Sequence, residues 1–241
     1  NYVQDANRKF DRNNYDFKVN YNATTQGQIW GKYSHMGAAV DSPQAYLGYQ
    51  PNVLTGDTTV NQYTVGTTWT FSPTMVFDAT YGISKMTHES TAGDFGLGNF
   101  GLDTLGIHGT NGGANFSNDP RYAGMPAFLT GFSTVGNDDG WAPVQRDERT
   151  YALTANMTKL HNNHEFRFGY SLNRLRMNHW QPELGYGPRG HWDFAQNSTE
   201  LNGGPQTANI YNQYASFLLG LADYAALSVQ NELMTTREWQ H

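Results

Sequence analysis

The chain contains no cysteine. That excludes a disulfide framework and any thiolate metal site. Charge is scarce: Asp, Glu, Lys and Arg make up 15% of the residues, against roughly 25% in an ordinary soluble domain. Long hydrophobic runs are missing too. The longest near-continuous one is Ala215–Ala222, far short of the ~18 residues that a spanning helix needs. If this chain enters a membrane, it does so as strands. No Gly-x-Ser-x-Gly or phosphate loop occurs, and no Gly-x-Gly-x-x-Gly stretch reads as a helix entry. Carboxylate pairs such as Asp147-Glu148 read as strand-start charges, so an enzyme is not expected. The histidines do not form a metal pattern. His161 and His164 share a turn, His179 and His191 flank a loop, and no pair has helical i, i+4 spacing beside a carboxylate. Asn137-Asp138-Asp139-Gly140 lacks the spaced acidic ligands of a calcium loop and reads as a plain turn. No cofactor is expected. Asn1 follows no charged-then-apolar leader, and the chain stops inside an apparent strand at Arg237–His241. Both ends read as cuts in a longer chain.

What is present is alternation. In Asn14–Tyr21 one parity is Tyr15, Phe17, Val19 and Tyr21, and the other is Asn14, Asp16, Lys18 and Asn20. After a polar turn at Asn22–Thr25 the chain returns through Gln28–His35. The unit repeats. Tyr63, Val65, Thr67, Trp69 and Phe71 alternate with small polar residues, Ser72–Thr74 turns the chain, and Met75, Phe77, Ala79, Tyr81 and Ile83 return it. A third copy runs through Tyr151, Leu153, Ala155 and Met157, turns at His161–His164, and returns through Phe166, Phe168, Tyr170 and Leu172. Period two means one face toward an apolar medium and one toward a polar medium. Strands of about ten residues with aromatics crowding short turns are how transmembrane β-barrels are written.

The expected fold is all-β: an antiparallel meander of about seven to eight strands, an open section of a large transmembrane barrel. The strands fall at 12–22, 26–36, 58–71, 75–87, 147–160, 165–178, 189–195 and 225–240. Connections alternate between short (Asn22–Thr25, Ser72–Thr74, His161–His164) and long (37–57, 88–146, 179–188, 196–224). In a barrel all the long ones share one end, the extracellular one, and the short ones share the periplasmic end. Tyr15, Phe17, Val19, Tyr21, Tyr63, Val65, Trp69, Phe71, Phe77, Tyr151, Leu153, Phe166 and Phe168 are assigned to lipid. Those near the short turns form an aromatic girdle; strand propensity alone is the plainer explanation of the same residues. Arg167 in mid-strand would cost about 2–4 kcal/mol facing lipid at the midplane. It is therefore assigned to the lumen, with Asp16, Lys18, Lys32, Asp78, Arg174 and Arg176.

The segment 88–146 is too long for a mere connection. From His88 through Glu148 there are eight carboxylates against Arg121 and Arg146, a balance equal to the net charge of −6 of the whole chain. It reads as an external ligand-contacting or lid loop, or as a solvated surface loop. Trp141, Trp180 and Trp192 lie in loops or near the outer rim, as interface anchors or as a stacking platform for a sugar or another flat ligand. Gln213–Leu221 has helical spacing of Tyr214, Phe217, Leu218 and Leu221, with Gly220 to close it. It reads as a short helix at the barrel mouth.

Several stretches, taken in order, resemble one family: Asp11–Tyr21, Trp30–Ser34, Thr70–Thr74, Tyr214–Gly220 and Thr236–Gln240. The chain resembles the barrel of TonB-dependent outer-membrane receptors, in the Oar-like branch that carries a carboxypeptidase-regulatory-like domain. The resemblance spreads over most of the chain except 88–146. It implies a bacterial outer-membrane location, a plugged barrel of about 22 strands, and uptake of an unknown ligand driven by the TonB energy-coupling system. Its partners would be outer-membrane lipid, TonB acting through a plug domain that this chain lacks, and the ligand; no nucleic acid is expected. The chain departs from the family in showing no plug, no TonB-contacting box and no terminal closing strand. Two other readings stay open. A small passive barrel or porin requires residues 12–22 and 225–240 to pair. A soluble secreted β-rich glycan-binding module requires Phe17, Trp69 and Phe168 to be buried by a facing sheet.

Overall fold

The alternating segments form strands longer than their apolar residues require. The structure, a computed structural model, describes residues 7–41, 54–116, 118–137, 140–182, 186–195, 198–199 and 210–241. Seven strands make the main sheet: β1 (Lys9–Asn22), β2 (Gly27–Asp41), β3 (Leu54–Ser72), β4 (Met75–Ala92), β7 (Val144–His161), β8 (His164–Trp180) and β11 (Met234–Gln240). Each pairs antiparallel with its neighbour in the order β1-β2-β3-β4-β7-β8-β11. β1 and β11 are the two edges and do not pair with each other. The expected antiparallel meander and open section are therefore found. The expected strand 189–195 does not join this sheet.

Register places the short turns together. Gly27 lies opposite Trp69, Met75 opposite Lys159 and His161 opposite His164. The other ends, Asp41/Leu54, Ala92/Val144 and Trp180/Met234, carry the long connections. Each short turn has a local reason. Thr24 N–H donates to the Gly27 carbonyl at 3.2 Å. Ser72 Oγ accepts from Thr74 N–H at 3.3 Å. Asn162 adopts a positive φ of 53°, a region that Asn tolerates better than most residues. A register shift between Thr70 and Ser72 leaves Phe71 as a bulge.

Several expected boundaries are corrected. β4 continues to Ala92 and β7 starts at Val144, so the long insertion is 93–143 instead of 88–146. β2 runs on to Asp41 and β3 begins at Leu54, which shortens the expected 37–57 connection; residues 42–53 lie outside the described residues. Charged and polar residues such as Asp57, Glu89 and Asp147 mark the end of the apolar pattern but not of the ladder. Backbone pairing continues into water, where polar side chains suit both faces. The expected strand 225–240 is two: β10 (Tyr224–Ala226) and β11.

β10 belongs to a second sheet, built wholly from the long connections, in the order β10-β9-β5-β6. Its other strands are β5 (Ala127–Leu129), β6 (Thr134–Gly136) and β9 (His191–Asp193). A one-turn helix, α1 (Gly113–Phe116), and a longer one, α2 (Ile210–Leu218), complete this cap. α2 starts before the expected Gln213. Gly220 closes it at φ 70°, and Leu221 N–H reaches back to the Ser216 carbonyl at 2.9 Å. The buried apolar side chains, Tyr122, Ala123, Ala127, Ala142, Trp180 and Phe194 among them, lie in the cap or at its junction with the strands. Among the described residues no core layer lies over either face of the main sheet.

Candidate functional site

Directly opposed residues in an antiparallel pair share a face, so the register assigns every strand residue to a side. Phe17, Tyr33, Tyr63, Ile83, Tyr151 and Arg174 make one continuous row with Trp239. One row nearer the short turns come Val19, Gly31, Val65, Tyr81, Leu153 and Leu172. Below them, Tyr21 faces Ile29. At the short-turn end, Trp69 faces Phe77, which faces Met157, which faces Phe168. Phe71 lies against Phe77, ring centroids 6.4 Å apart. Phe166 lies opposite Lys159. All the residues assigned to lipid thus share one face with Tyr15. Many are openly exposed, Phe17 at 65% and Phe168 at 58%. Among the described residues no second sheet covers them, which a soluble sandwich would need.

The other face is polar. Asp16 forms an ion pair with Lys32 at 3.0 Å and accepts from Ser34 Oγ. Lys18 sits over the Trp30 ring, 4.9 Å from its centroid. Asn156 Nδ2 donates to Asp78 at 2.9 Å, and Arg167 pairs with Glu165 at 2.8 Å. Asp16, Lys18, Lys32, Asp78 and Arg167 therefore share one face, opposite the aromatic one. Arg174 and Arg176 do not. Arg174 lies opposite Tyr151 and Trp239, and Arg176 opposite Arg149 and Arg237, all on the aromatic face. Period two puts an even-numbered residue of β8 with Phe166 and Phe168 and opposite Arg167, so their expected lumen assignment is corrected.

Sequence reasoning did not find Trp30. Its parity places it among polar side chains, and its ring lies where a Cβ on Gly66 would be, 2.4 Å away. Trp69 covers Gly27 in the same manner on the other face. Aromatic cover of a strand glycine is a known way to protect an otherwise bare backbone. The signal was present as a Trp and a Gly in neighbouring strands, but only the register pairs them.

The three tryptophans proposed for ligand contact have different fates. Trp141 is 52% exposed. Trp180, the last residue of β8, is fully buried, with Tyr122 edge-on at 5.6 Å and the Arg121 guanidinium 4.6 Å from its centroid. Its ring is a core element of the cap, which corrects its reading as contact surface. Trp192 is half-buried and stacked on Phe128 at 5.6 Å, so one ring face is occupied.

The cap is knitted from the β4–β7 and β8–β11 connections. Buried Asn111 donates to the carbonyls of Tyr122 and Gly124 at 2.8 and 2.9 Å. Asp94 accepts from Met125 N–H at 2.6 Å and from Asn137 Nδ2; Asp138 and Asp139, of the turn read after Asn137, lie outside the described residues. Tyr122 OH donates to the Gln230 carbonyl at 3.2 Å and accepts from Gln230 N–H at 3.1 Å. Burial pushes the Tyr122 phenol's pKa up, which keeps that donor proton in place. The Arg121 side-chain hydrogen bond, 2.6 Å at its shortest, holds the Asp119 carboxyl below its ordinary range. His161 and His164 face each other at a turn, while His179 is buried between Arg146 and Gln181. Among the described residues no group of three or more potential metal ligands gathers.

One face is thus apolar and uncovered, the other polar and internally hydrogen-bonded, with tight turns at one end and a packed cap at the other. Among the described residues no helix is long and apolar enough to cross a membrane. That arrangement suits a sheet crossing a bilayer by its strands, where every backbone group is satisfied by the ladder. No curated protein matches the chain, and no solved structure does. A family model described as outer membrane beta barrel domain matches residues 1–241. The chain belongs to the outer membrane β-barrel domain family, and its place is the bacterial outer membrane.

Proposed function

We propose that this chain is a section of a TonB-dependent receptor barrel, in which the aromatic face meets lipid, the polar face lines the lumen, and the cap stands outside the cell over the mouth. The observation that carries this reading is the open seven-stranded sheet, with β1 and β11 unpaired with each other. Seven strands are about a third of the ~22 of the plugged outer-membrane transporters, and further strands would close the edges. The interlocked cap suits a receptor that captures a ligand before admitting it. The role is binding and energised uptake, not catalysis, and the plug that would engage TonB lies outside this chain.

The test is made on the full-length protein from outer membranes, reconstituted in planar bilayers. A plugged receptor stays closed and binds the isolated periplasmic domain of TonB. Steady stepwise conductance without TonB binding would instead support a passive porin. Trypsin offered to intact cells supplies the orientation: a cleavable tag inserted near Gly112 should be cut from outside, and its protection would contradict an external cap.

A further inference from the structure

One row of the aromatic face carries like charges side by side. Lys85 lies opposite Arg149, Arg149 opposite Arg176, and Arg176 opposite Arg237, on four consecutive strands. Directly opposed residues hold their Cβ atoms about 4.5–5.5 Å apart, and like charges in that position are destabilising. Little in the protein offsets them. Asp147 reaches Arg149 at 3.3 Å. Arg237 donates to the carbonyls of Met177 and Thr236 and to Asn178 Oδ1, all neutral. Lys85 and Arg176 have no hydrogen-bond or ion-pair partner among the described residues. A cavity of about 80 Å³ opens between Arg149, Arg176 and Arg237, with Asp147 and Asn178 on its wall.

The row also sits at a boundary. Toward the short turns the same face continues as Ile83, Tyr151, Arg174 and Trp239, with the Arg174 guanidinium laid over the Trp239 ring at 4.6 Å, then as Tyr81, Leu153 and Leu172. Toward the cap it continues as Thr87, Asp147 and Asn178. From Met75 at the turn to Lys85 is ten residues; at about 3.4 Å each and a tilt near 45° this is roughly 24 Å, close to the ~25 Å apolar band of outer-membrane barrels.

We infer that Lys85, Arg149, Arg176 and Arg237 form a binding site for the phosphate groups of a lipid headgroup in the leaflet at the cap end of the sheet. This rests on the aromatic face being the lipid face. Guanidinium forks match phosphate oxygens in pairs. An anion between opposed cations removes the repulsion that the row otherwise carries. A lipid, and not a soluble anion, fits the position, because Ile83 and Tyr151 and the Tyr81–Leu153–Leu172 row below them would take its acyl chains while the cationic row takes its head.

The probe is a bisphosphorylated diglucosamine lipid added to the detergent-solubilised full-length protein, with the same lipid stripped of phosphate and inorganic phosphate as comparisons. Lys85→Gln and Arg176→Gln remove charges that have no partner, so neither leaves an orphaned group. Each should weaken binding of the phosphorylated lipid about fivefold and the pair about twenty-five-fold, leaving the stripped lipid unaffected. Arg12→Gln, on the polar face, should change nothing. Equal affinity for the two lipids, or an unchanged K85Q/R176Q variant, would overturn the site. Inorganic phosphate competing at its own millimolar affinity with no preference for lipid would overturn the lipid assignment. A fluorophore at Val65→Cys quenched by brominated lipid in the same preparation confirms the face independently, so a misassigned face and a failed site give different results.

Discussion

At residue scale the two media are separated by single steps along a strand. Val65 and Thr64 are neighbours on β3, yet Val65 lies between Gly31 and Tyr81 on the aromatic face, and Thr64 lies between Lys32 and Gly82 on the polar one. Val65→Arg should cost about 2–4 kcal/mol of folding stability in bilayers, and Thr64→Arg little; denaturant titration of the full-length protein in vesicles measures both. Glycine gives a second contrast. A Cβ at Gly66 would meet the Trp30 ring at 2.4 Å, while at Gly31 it meets nothing within 4 Å. Gly66→Ala should destabilise by about 1–3 kcal/mol and alter tryptophan emission as the ring leaves Lys18. Gly31→Ala should be neutral or slightly stabilising. Equal effects would contradict the pairing of Trp30 with Gly66.

At element scale the cap is held by a few polar clasps within and between the β4–β7 and β8–β11 connections, and one of them titrates. Asp119 holds Arg121, and Arg121 stacks on Trp180 at the end of β8. The Asp119 carboxyl is lowered in the folded protein, first by its hydrogen bond from Arg121. A lowered carboxyl contributes stability that is complete above its ordinary value of 3.8 and is lost as pH falls through the lower folded value. The protection of amides 118–124 against hydrogen exchange, taken relative to their intrinsic rates at each pH, should therefore fall below about pH 4, and Asp119→Asn should already be poorly protected at neutral pH and lose that dependence. Protection that does not change with pH in either protein would contradict the clasp. Tyr122→Phe removes both bonds to Gln230 and should loosen the cap by about 1–3 kcal/mol.

The elements also show what could be read in advance. The three hairpins, their turns and their two faces were legible because period two repeats three times with the same phase of aromatics. Where the pattern met Asp57, Glu89 and Asp147 it stopped, although the ladder did not, because strands in water need no apolar face. The second sheet was largely illegible. Its strands are three residues each, too short to show a period, and β9 pairs with β5 from the other long connection. The cationic row was hidden for a related reason: Lys85, Arg149, Arg176 and Arg237 are far apart in sequence, and only the register aligns them.

At the scale of the whole molecule the main sheet has no core layer over it among the described residues, and a bilayer supplies the apolar cover for its aromatic face. Its apolar band, from the Tyr63–Ile83–Tyr151 row to Phe71 on β3 and Met75 on β4, is nine residues on each of these strands, within the ~9–11 with which a tilted strand crosses. These 241 residues contain no cysteine of their own to compete with a thiol introduced on β3. Cysteines placed singly from Tyr63 to Phe71 in the full-length protein, labelled and read in outer membranes against a lipid-phase quencher and an aqueous one, sample both faces of β3 residue by residue. The predicted result is strict alternation, with 63, 65, 67 and 69 open to the lipid quencher and 64, 66, 68 and 70 only to the aqueous one. Uniform aqueous access along β3, or alternation in the opposite phase, would contradict a membrane-crossing sheet with its aromatic face in lipid.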